Sequence, residues 1–298
     1  MASATLPTDT PSTPPFRAGL AALIGRTNVG KSTLTNALVG QKIAIVTPKP
    51  QTTRHVVHGV VNGPNCQLVL VDTPGFFRTK TSRLVTELHR KAREALEGID
   101  VVVHVVDPAR EIGEEDQMVT EVLQRVRQPR VLCLTKLDLR QRPARDAWLA
   151  RASEYAAVVE VSARAGTGLE TLKSALFQLL PEHPPLYPPE DVTNAHRDFQ
   201  IAELIREQVY LLTGNEVPYR TVIELDAVDE AVTREGQPFL HIKAAVLTPN
   251  DRYQRMLIGA GAQMIRAIGT AARRELERKL ERKVFLDLDV LVDKHIEG

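Results

Sequence analysis

Apolar runs alternate with amphipathic stretches along the first 180 residues of the chain. The nearly continuous runs predict buried strands, and they lie at 18–24, 67–71, 101–106, 130–134 and 158–161. A further run at 56–61 is predicted to pair with 67–71. Helices are predicted at 33–38, 84–96 and 116–126. This alternation is typical of an α/β fold with a doubly wound, mostly parallel sheet, whose ligands bind at the carboxyl ends of the strands.

A different order of elements begins after residue 195. It predicts a helix at 199–212, strands at 221–228 and 240–246, a short helix at 253–258, a glycine turn, a helix from 264 to about 280, and a strand at 284–292. We therefore expect a second, smaller α+β domain at 196–298. Prolines between 181 and 195 predict a stiff, extended linker, so the first domain is expected to span 16–180. Residues 1–15 are rich in Thr, Ser and Pro, which predicts a disordered tail.

The loop between the first strand and the first helix carries a phosphate-binding pattern. From Gly25 to Ser32 the chain reads glycine, four residues, glycine, lysine and serine. The glycines allow a turn in which backbone N–H groups point at a phosphate chain, and the helix start adds positive potential. We expect Lys31 to reach the outer phosphates and Ser32 to bind Mg²⁺. The predicted phosphate-loop residues are Gly25, Asn28, Val29, Gly30, Lys31, Ser32 and Thr33.

Two later loops predict a response to the third phosphate. The segment 47–54 contains Thr53, which we expect to complete the Mg²⁺ shell, with Thr52 as the alternative. Asp72 ends an apolar strand and is placed to hold Mg²⁺ through water, and Gly75 can bring its N–H to the third phosphate. Loss of that phosphate would release both loops, which predicts a switch.

Two further strand ends predict guanine as the base. Asp138 closes the tetrapeptide that begins with Thr135 and Lys136, and its carboxylate can accept hydrogen bonds from the ring N–H and the exocyclic amine of guanine. Adenine would leave this charge unpaired, a mismatch that can discriminate by about 10⁴. The backbone of Ser162 and Ala163, at the end of the last strand, can reach the guanine carbonyl.

Composition limits the partners and the cellular compartment that we expect for the protein. The 38 Lys+Arg and 37 Asp+Glu nearly balance, so any nucleic-acid site must be local. Cys66 and Cys133 lie in apolar runs, which favours reduced core residues over a disulfide. His104 lies inside a buried strand and is expected to be a core histidine rather than a catalyst. The sequence shows no signal peptide and no membrane-spanning segment, so we expect a cytoplasmic protein.

The second domain resembles a type II KH domain, a module that binds about four nucleotides of single-stranded RNA against a turn between two helices. Its turn, Gly259 to Ala262, departs from the usual glycine, two residues, glycine, because the final residue is alanine and no lysine lies between. The domain carries fifteen Lys+Arg and seventeen Asp+Glu, but seven basic residues crowd its last helix and the end of that helix. A solvated helix face is the alternative explanation. The RNA-binding residues that the resemblance implies are Ile258, Gly259, Ala260, Gly261, Ala262, Ile265, Arg266, Arg273 and Arg274.

The loops of the first domain resemble those of translation-factor-type GTPases, with two departures. Thr135 stands where most of the superfamily has asparagine, so we expect guanine choice to persist with weaker affinity. Phe76 stands where Ras-like GTPases place a glutamine that orients the attacking water, so we expect slow intrinsic turnover. Asn28 matches a phosphate-loop asparagine that helps hold K⁺ in potassium-stimulated GTPases, with simple loop formation as an equal alternative.

Together the two domains resemble the Era family of ribosome-assembly GTPases over nearly the whole chain beyond the tail. The most specific segments read RTNVGKSTL at 26–34, PQTTRH at 50–55 and EVPYR at 216–220. The resemblance implies a GTP-hydrolysing switch that uses Mg²⁺, binds the 3′ end of small-subunit ribosomal RNA and acts in assembly of the 30S subunit. It also implies peripheral association with the inner face of the cell membrane.

Three other functions remain open from the sequence. A kinase or ATPase could use the same phosphate loop, although Asp138 and the absence of a second-substrate lid count against it. A non-enzymatic RNA-binding protein could keep nucleotide only as structure, which Phe76 leaves open. The nearest alternative is a GTPase that acts on another RNA, in modification or in large-subunit assembly.

Overall fold

The chain folds into a six-stranded sheet and a three-stranded sheet, each covered by helices. The computed structural model describes residues 15–77, 83–214, 216–233 and 235–296. Apart from Pro15, the predicted disordered tail lies outside the described residues.

The first domain has the predicted α/β architecture. Its strands are β1 (Arg17–Ile24), β2 (Val57–Gly63), β3 (Cys66–Asp72), β4 (Val101–Val106), β5 (Arg130–Leu134) and β6 (Ala157–Glu160). Its helices are α1 (Lys31–Val39), α2 (Arg83–Glu94), α3 (Glu114–Gln124), α4 (Arg145–Leu149) and α5 (Leu169–Leu179). The strand order is β2-β3-β1-β4-β5-β6, and every neighbouring pair is parallel except β2 with β3.

Helices cover both faces of this sheet, which explains the nearly continuous apolar runs of its strands. One face packs against Leu34 of α1 and Leu172 of α5. The other packs against Ala92 of α2 and Val119 of α3. The buried sheet is therefore a rigid frame for the loops at the carboxyl ends of its strands.

The second domain has the predicted element order. Its elements are α6 (Arg197–Leu212), a 3-10 turn (Val217–Arg220), β7 (Val222–Val232), β8 (Pro238–Thr248), α7 (Asp251–Ile258), α8 (Gln263–Leu280) and β9 (Lys283–Val292). β8 is central, antiparallel to β7 and parallel to β9. Buried Ile205 of α6, Ile242 of β8 and Leu276 of α8 belong to one core cluster.

The proline-rich linker, which the sequence predicts to be a stiff, extended spacer, lies along the edge strand β2. Oε1 of buried Gln67 accepts the backbone N–H groups of Leu186 and Tyr187 at 2.7 and 2.9 Å. The backbone N–H of Val60 donates to the carbonyl of Val192 at 2.9 Å. The linker therefore covers a sheet edge that would otherwise expose unpaired backbone groups.

Two helices were not predicted. In α5, Leu169, Leu172 and Leu176 recur at helical spacing, so a signal was present in the sequence. In α4, five residues are too few for any periodicity to be visible.

Other predictions about the core are confirmed. Cys66 and Cys133 are buried and free. His104 is 1 % exposed, and its Nδ1 lies 2.7 Å from the hydroxyl of Tyr155. Burial lowers the pKa of His104 to about 3, so it is a neutral core residue.

None of the helices that the structure describes is both long enough and apolar enough to cross a bilayer.

Candidate nucleotide and RNA sites

A cleft of about 690 Å³ opens at the carboxyl ends of the strands of the first domain. Its lining includes Asn28, Thr53, Gly75, Asp138 and Ala163, so each of the five predicted loops reaches it. Four of these loops follow parallel strands, which end at the same edge, and the fifth, with Thr53, precedes antiparallel β2, which begins at that edge.

The phosphate loop connects β1 to α1 in the predicted setting. Lys31 begins α1, and its ammonium donates to the carbonyls of Gly25 and Arg26 at 3.1 and 2.9 Å. Burial lowers the pKa of Lys31 to about 8. A phosphate chain would raise that pKa again, because opposite charge favours the ammonium form.

Three predicted magnesium ligands meet at the floor of the cleft. Ser32 Oγ donates to Asp72 Oδ2 at 2.6 Å and lies 2.9 Å from Thr53 Oγ1. Asp72 Oδ1 is buried and has no hydrogen-bond partner among the described residues. Burial raises the pKa of Asp72 to about 6, and a bound cation would lower it. Two hydroxyls beside an unpaired carboxylate oxygen are a donor set that suits Mg²⁺.

The hydroxyl of the alternative threonine bonds within its own loop. Thr52 Oγ1 lies 2.6 Å from Thr47 Oγ1 and donates to the carbonyl of Lys49 at 2.8 Å. Its hydroxyl thus stabilises the fold of its own loop, which leaves Thr53 at the floor of the cleft.

Gly75 lies so close to the phosphate loop that no other residue fits. A Cβ at this position would lie 2.8 Å from the backbone N of Thr27 and 2.9 Å from Lys31 Nζ. The next residue, Phe76, bonds the phosphate loop through its backbone: its carbonyl accepts from Thr27 at 3.0 Å, and its N–H donates to Gly25 at 3.1 Å. The Phe76 side chain is fully buried in the core, so it cannot contact an attacking water.

The predicted base-binding carboxylate is held by a neighbouring loop. Ser162 Oγ donates to Asp138 Oδ1 at 2.6 Å, and this bond lowers the pKa of the exposed Asp138. The hydroxyl keeps the carboxylate oriented and ionised. The sequence predicted a backbone role for Ser162, and this side-chain role was missed.

Thr135 replaces the usual asparagine without losing a tether to the phosphate loop. Its buried hydroxyl lies 2.7 Å from the carbonyl of Val29 and 3.0 Å from that of Val106, and it can donate to one of them at a time. Lys136 pairs with Asp107 at 2.5 Å, which fixes the same loop to the end of β4.

Asn28 connects the phosphate loop to the segment that carries Thr53. It adopts a left-handed backbone conformation, with φ of 60°, and its Nδ2 donates to the carbonyl of Pro48 at 2.9 Å. The amide therefore lies where the two loops meet.

A buried ion pair behind the phosphate loop was also missed. Arg26 Nη1 donates to Asp116 Oδ2 of α3 at 2.7 Å, and both side chains are almost fully buried. No local pattern pairs residues so far apart in the sequence.

The turn between α7 and α8 contains three residues with positive φ. Gly259, Gly261 and Ala262 have φ values of 71°, 55° and 59°. A Cβ at Gly259 would lie 2.9 Å from the Cβ of Met264, so only glycine fits there. Ala262 adopts the left-handed conformation that costs an L-residue about 1–2 kcal/mol.

The side chains beside this turn divide into apolar and basic groups. Ile258 and Ile265 are half-buried against the core, and Arg266, Arg273 and Arg274 are exposed on α8. This arrangement suits single-stranded RNA, because exposed arginines bind phosphate and apolar side chains contact bases.

Comparison with known proteins decides the family. A family model described as a 50S ribosome-binding GTPase matches residues 20–136, and a KH-domain model matches residues 226–295. The protein called GTPase Era from Halothermothrix orenii is 37 % identical over 94 % of this chain and 94 % of its own. The GTPase Era of Xanthomonas campestris is 40 % identical over 94 % and 93 %. This chain belongs to the Era family of GTPases.

Solved Era structures have the same two-domain fold. A crystal structure of Era in complex with MgGDPNP and nucleotides 1506–1542 of 16S ribosomal RNA matches with a TM-score of 0.86, at 30 % identity, over 94 % of this chain and 95 % of that one. A point variant of Aquifex aeolicus Era bound to GDP·AlF₄⁻ matches with a TM-score of 0.84, at 31 % identity, over the same shares. Era membership makes this chain a GTP-binding, GTP-hydrolysing protein, which confirms the predicted enzyme class over the kinase and non-enzymatic alternatives.

Proposed function

We propose that this Era-family protein is a GTP-driven switch that binds the 3′ end of small-subunit ribosomal RNA during assembly of the 30S subunit. The observation that carries the switch is the meeting of Ser32, Asp72 and Thr53 within hydrogen-bond distance at the floor of the cleft. A loop that shares a cation with the phosphate loop is held there only while the outer phosphate and its cation are bound.

Ser32 and Thr53 would bind Mg²⁺ through their hydroxyls, and Asp72 would bind it through water. The cation neutralises charge on the outer phosphates. Lys31 would contact the outer phosphates, and Gly75 would donate its backbone N–H to the third. The assignment rests on the unpaired Asp72 Oδ1 and on the close approach of Gly75 to the phosphate loop.

Buried Phe76 supports slow intrinsic hydrolysis, because no side chain at that position orients water.

We propose K⁺ as a second cation beside Asn28, since its amide and the Pro48 carbonyl converge at the mouth of the phosphate loop. GTP turnover should then rise when K⁺ replaces Na⁺, and Asn28→Ala should lose that response. Equal wild-type rates in both salts would remove the K⁺ site.

The RNA assignment rests on the KH turn and its flanking side chains. The Era relative that was crystallised with nucleotides 1506–1542 of 16S ribosomal RNA matches this chain over 95 % of the relative's length. We place RNA against the turn from Gly259 to Ala262, with Ile258 and Ile265 beneath the bases and the three exposed arginines at the phosphates. The family description of 50S ribosome binding supports large-subunit RNA as the second candidate.

Crosslinking the full-length protein to RNA in cells, followed by sequencing of the bound RNA, separates the two candidates. Reads at the 3′ end of the small-subunit RNA are expected, and Arg273→Gln with Arg274→Gln should reduce them. Reads confined to large-subunit RNA would replace the proposed substrate.

Localisation follows from the same proposal. We place the protein in the cytoplasm, with peripheral contact to the inner face of the membrane as a family-based expectation. Fractionation tests it: recovery in a membrane pellet that high salt releases supports the contact, and recovery only in the supernatant removes it.

A further inference from the structure

Gln51 lines the nucleotide cleft with a side chain that no proposed role uses. Most other polar side chains near the phosphate loop are bonded to neighbouring atoms or assigned to phosphate and cation. Those side chains are Asn28, Lys31, Ser32, Thr33, Thr52 and Thr53. The carboxamide of Gln51 has no hydrogen-bond partner in the described part of the chain. A glutamine amide can donate and accept at once, so this one is available to a ligand in the cleft.

The backbone of Gln51 is strained. Its φ is 58°, in the left-handed region that is unfavourable for every residue with a Cβ. A glycine would adopt the same conformation without this cost, so the geometry of the turn does not account for a glutamine here. Residues held in such conformations cluster at active sites and ligand clamps. The strained backbone is therefore a second, independent indication that the Gln51 side chain has a function.

Contacts on both sides of Gln51 hold this conformation in place. The hydroxyl of Tyr219 donates to the carbonyl of Pro50 at 3.0 Å. Arg206 Nη2 donates to the carbonyl of Thr52 at 2.7 Å. The loop is thus fixed through its backbone, without a bond from the carboxamide of Gln51.

The proposed site otherwise lacks a group that orients the attacking water. Hydrolysis of GTP requires the water oxygen and the leaving oxygen to lie roughly in line with the third phosphorus. The water therefore lies on the outer side of the third phosphate, which the loops of Thr53 and Gly75 close. Phe76, the residue after Gly75, is fully buried in the core and cannot contact this water. Gln51 belongs to the other of these two loops, two residues before Thr53.

The hydroxyl of Thr27 is the alternative. It also lines the cleft, and it has no hydrogen-bond partner among the described residues. A hydroxyl has only one proton to donate, however, whereas a carboxamide can hold the water and a phosphate oxygen at the same time. Thr27 also lacks the left-handed backbone conformation of Gln51. Only Gln51 combines an unpartnered amide with a strained backbone in this cleft.

We propose that Gln51 is the catalytic residue that orients the attacking water in GTP hydrolysis. Its carbonyl oxygen accepts a hydrogen bond from the water, and its N–H donates to an oxygen of the third phosphate as charge builds there. The water oxygen bonds to the phosphorus while the bond from phosphorus to the bridging oxygen breaks, and that electron pair stays on GDP. The proton that the water loses goes to the released phosphate. Gln51 remains neutral throughout, so it positions the water and is not a base.

This inference rests on the proposed position of the third phosphate beside Gly75, and it is independent of the RNA. The test is single-turnover hydrolysis of GTP by the full-length protein with Mg²⁺ in a potassium buffer. Gln51→Ala removes the carboxamide, and Gln51→Gly removes it while also relieving the backbone strain. Both should lower the rate constant by about 10-fold or more, which is less than the roughly 10²–10⁴-fold that direct proton transfer contributes.

Two binding measurements show at which stage the side chain acts. Affinity for GDPNP should stay within about twofold in both variants, because an interaction made only in the transition state does not stabilise the ground state. The second probe is a fluorescent GDP with AlF₄⁻, which mimics the transition state. AlF₄⁻ should slow release of this GDP from the wild-type protein, and Gln51→Gly should lose that slowing.

A matched control separates this role from a general effect of losing a glutamine. Gln117 is exposed on α3 and does not line the cleft. Gln117→Ala should therefore keep the wild-type rate constant and the wild-type response to AlF₄⁻.

Each outcome has one interpretation. A rate loss in both Gln51 variants, with GDPNP affinity preserved and the AlF₄⁻ response lost, supports the proposal. Wild-type hydrolysis by Gln51→Gly overturns it, and so does a loss confined to Gln51→Ala, which would come from the backbone. A loss in Thr27→Ala without one in Gln51→Gly overturns it in favour of the Thr27 hydroxyl. Wild-type hydrolysis by Gly75→Ala would instead overturn the proposed position of the third phosphate, because a Cβ there would lie 2.8 Å from the backbone N of Thr27.

Discussion

We propose that Asp138 selects the base and that Ser162 holds its carboxylate oriented and ionised. The hydroxyl at 2.6 Å holds one carboxylate oxygen, and the carboxylate lines the cleft. The sequence predicted Asp138 because a tetrapeptide at a strand end has a recognisable form. It did not predict the hydroxyl bond from Ser162, which forms only when β5 and β6 lie side by side.

Asp138→Asn should shift the preference from GTP towards XTP. The amide offers a donor where guanine also offers one, whereas xanthine has a carbonyl there. A mismatch of this kind is expected to change relative affinity by at least about 100-fold. Displacement of a fluorescent nucleotide from the protein by GTP or by XTP measures this change in relative affinity. Asp146→Asn, an exposed carboxylate outside the cleft, is the control, and retained guanine preference in Asp138→Asn would remove the assignment.

Ala262 departs from the KH pattern in side chain but not in backbone. The sequence shows the missing glycine, and only the structure shows that the residue still has a φ of 59°. The local shape is therefore imposed by the neighbouring helices, with strain stored at one alanine.

Ala262→Gly should raise the free energy of unfolding by about 0.5–1 kcal/mol. Relief of about 1–2 kcal/mol of left-handed strain exceeds the added chain entropy of glycine. Ala267→Gly is the matched control inside α8, the helix that follows the turn, where an exposed interior glycine should lower stability by about 0.5–1 kcal/mol. Denaturant unfolding measures both, and equal signs for the two variants would contradict a strained turn.

At the scale of elements, the local sequence pattern predicted secondary structure wherever both faces of an element are buried. The strands of the six-stranded sheet were predicted because both of their faces are covered, and the phosphate loop because its turn needs particular residues. The packing of the linker on β2 was not predicted, since Gln67 contacts residues about 120 positions away. The attachment of the phosphate loop to α3 through Arg26 and Asp116 was missed for the same reason.

Arg26→Ala should lower the free energy of unfolding by about 3 kcal/mol or more, because Asp116 would keep a buried charge without its partner. Adding Asp116→Ala should lower it by less than the sum of the single changes, because the two residues interact directly. Chemical unfolding of both single variants and the double variant measures this coupling. Strict additivity would mean that the pair does not anchor the loop.

At the scale of the whole molecule, the nucleotide cleft and the KH turn lie in two different domains. The sequence predicts only the order of these domains along the chain. Their contact through residues 41–55 joins segments more than 150 residues apart: the Arg206 side chain, for example, donates to the backbone carbonyl of Thr52. No periodicity or motif predicts such a contact. It becomes visible only when both domains are seen together, and it connects the two activities physically.

The most direct measurement of the central claim is the affinity of the wild-type protein for RNA of the small-subunit 3′ end, with Mg²⁺ and GDPNP against Mg²⁺ and GDP. A switch predicts tighter binding with GDPNP, by at least about 5-fold. It also predicts the same factor of gain in GDPNP affinity, relative to GDP, when RNA is present, because linkage is reciprocal. Equal RNA affinity in the two nucleotide states would contradict it.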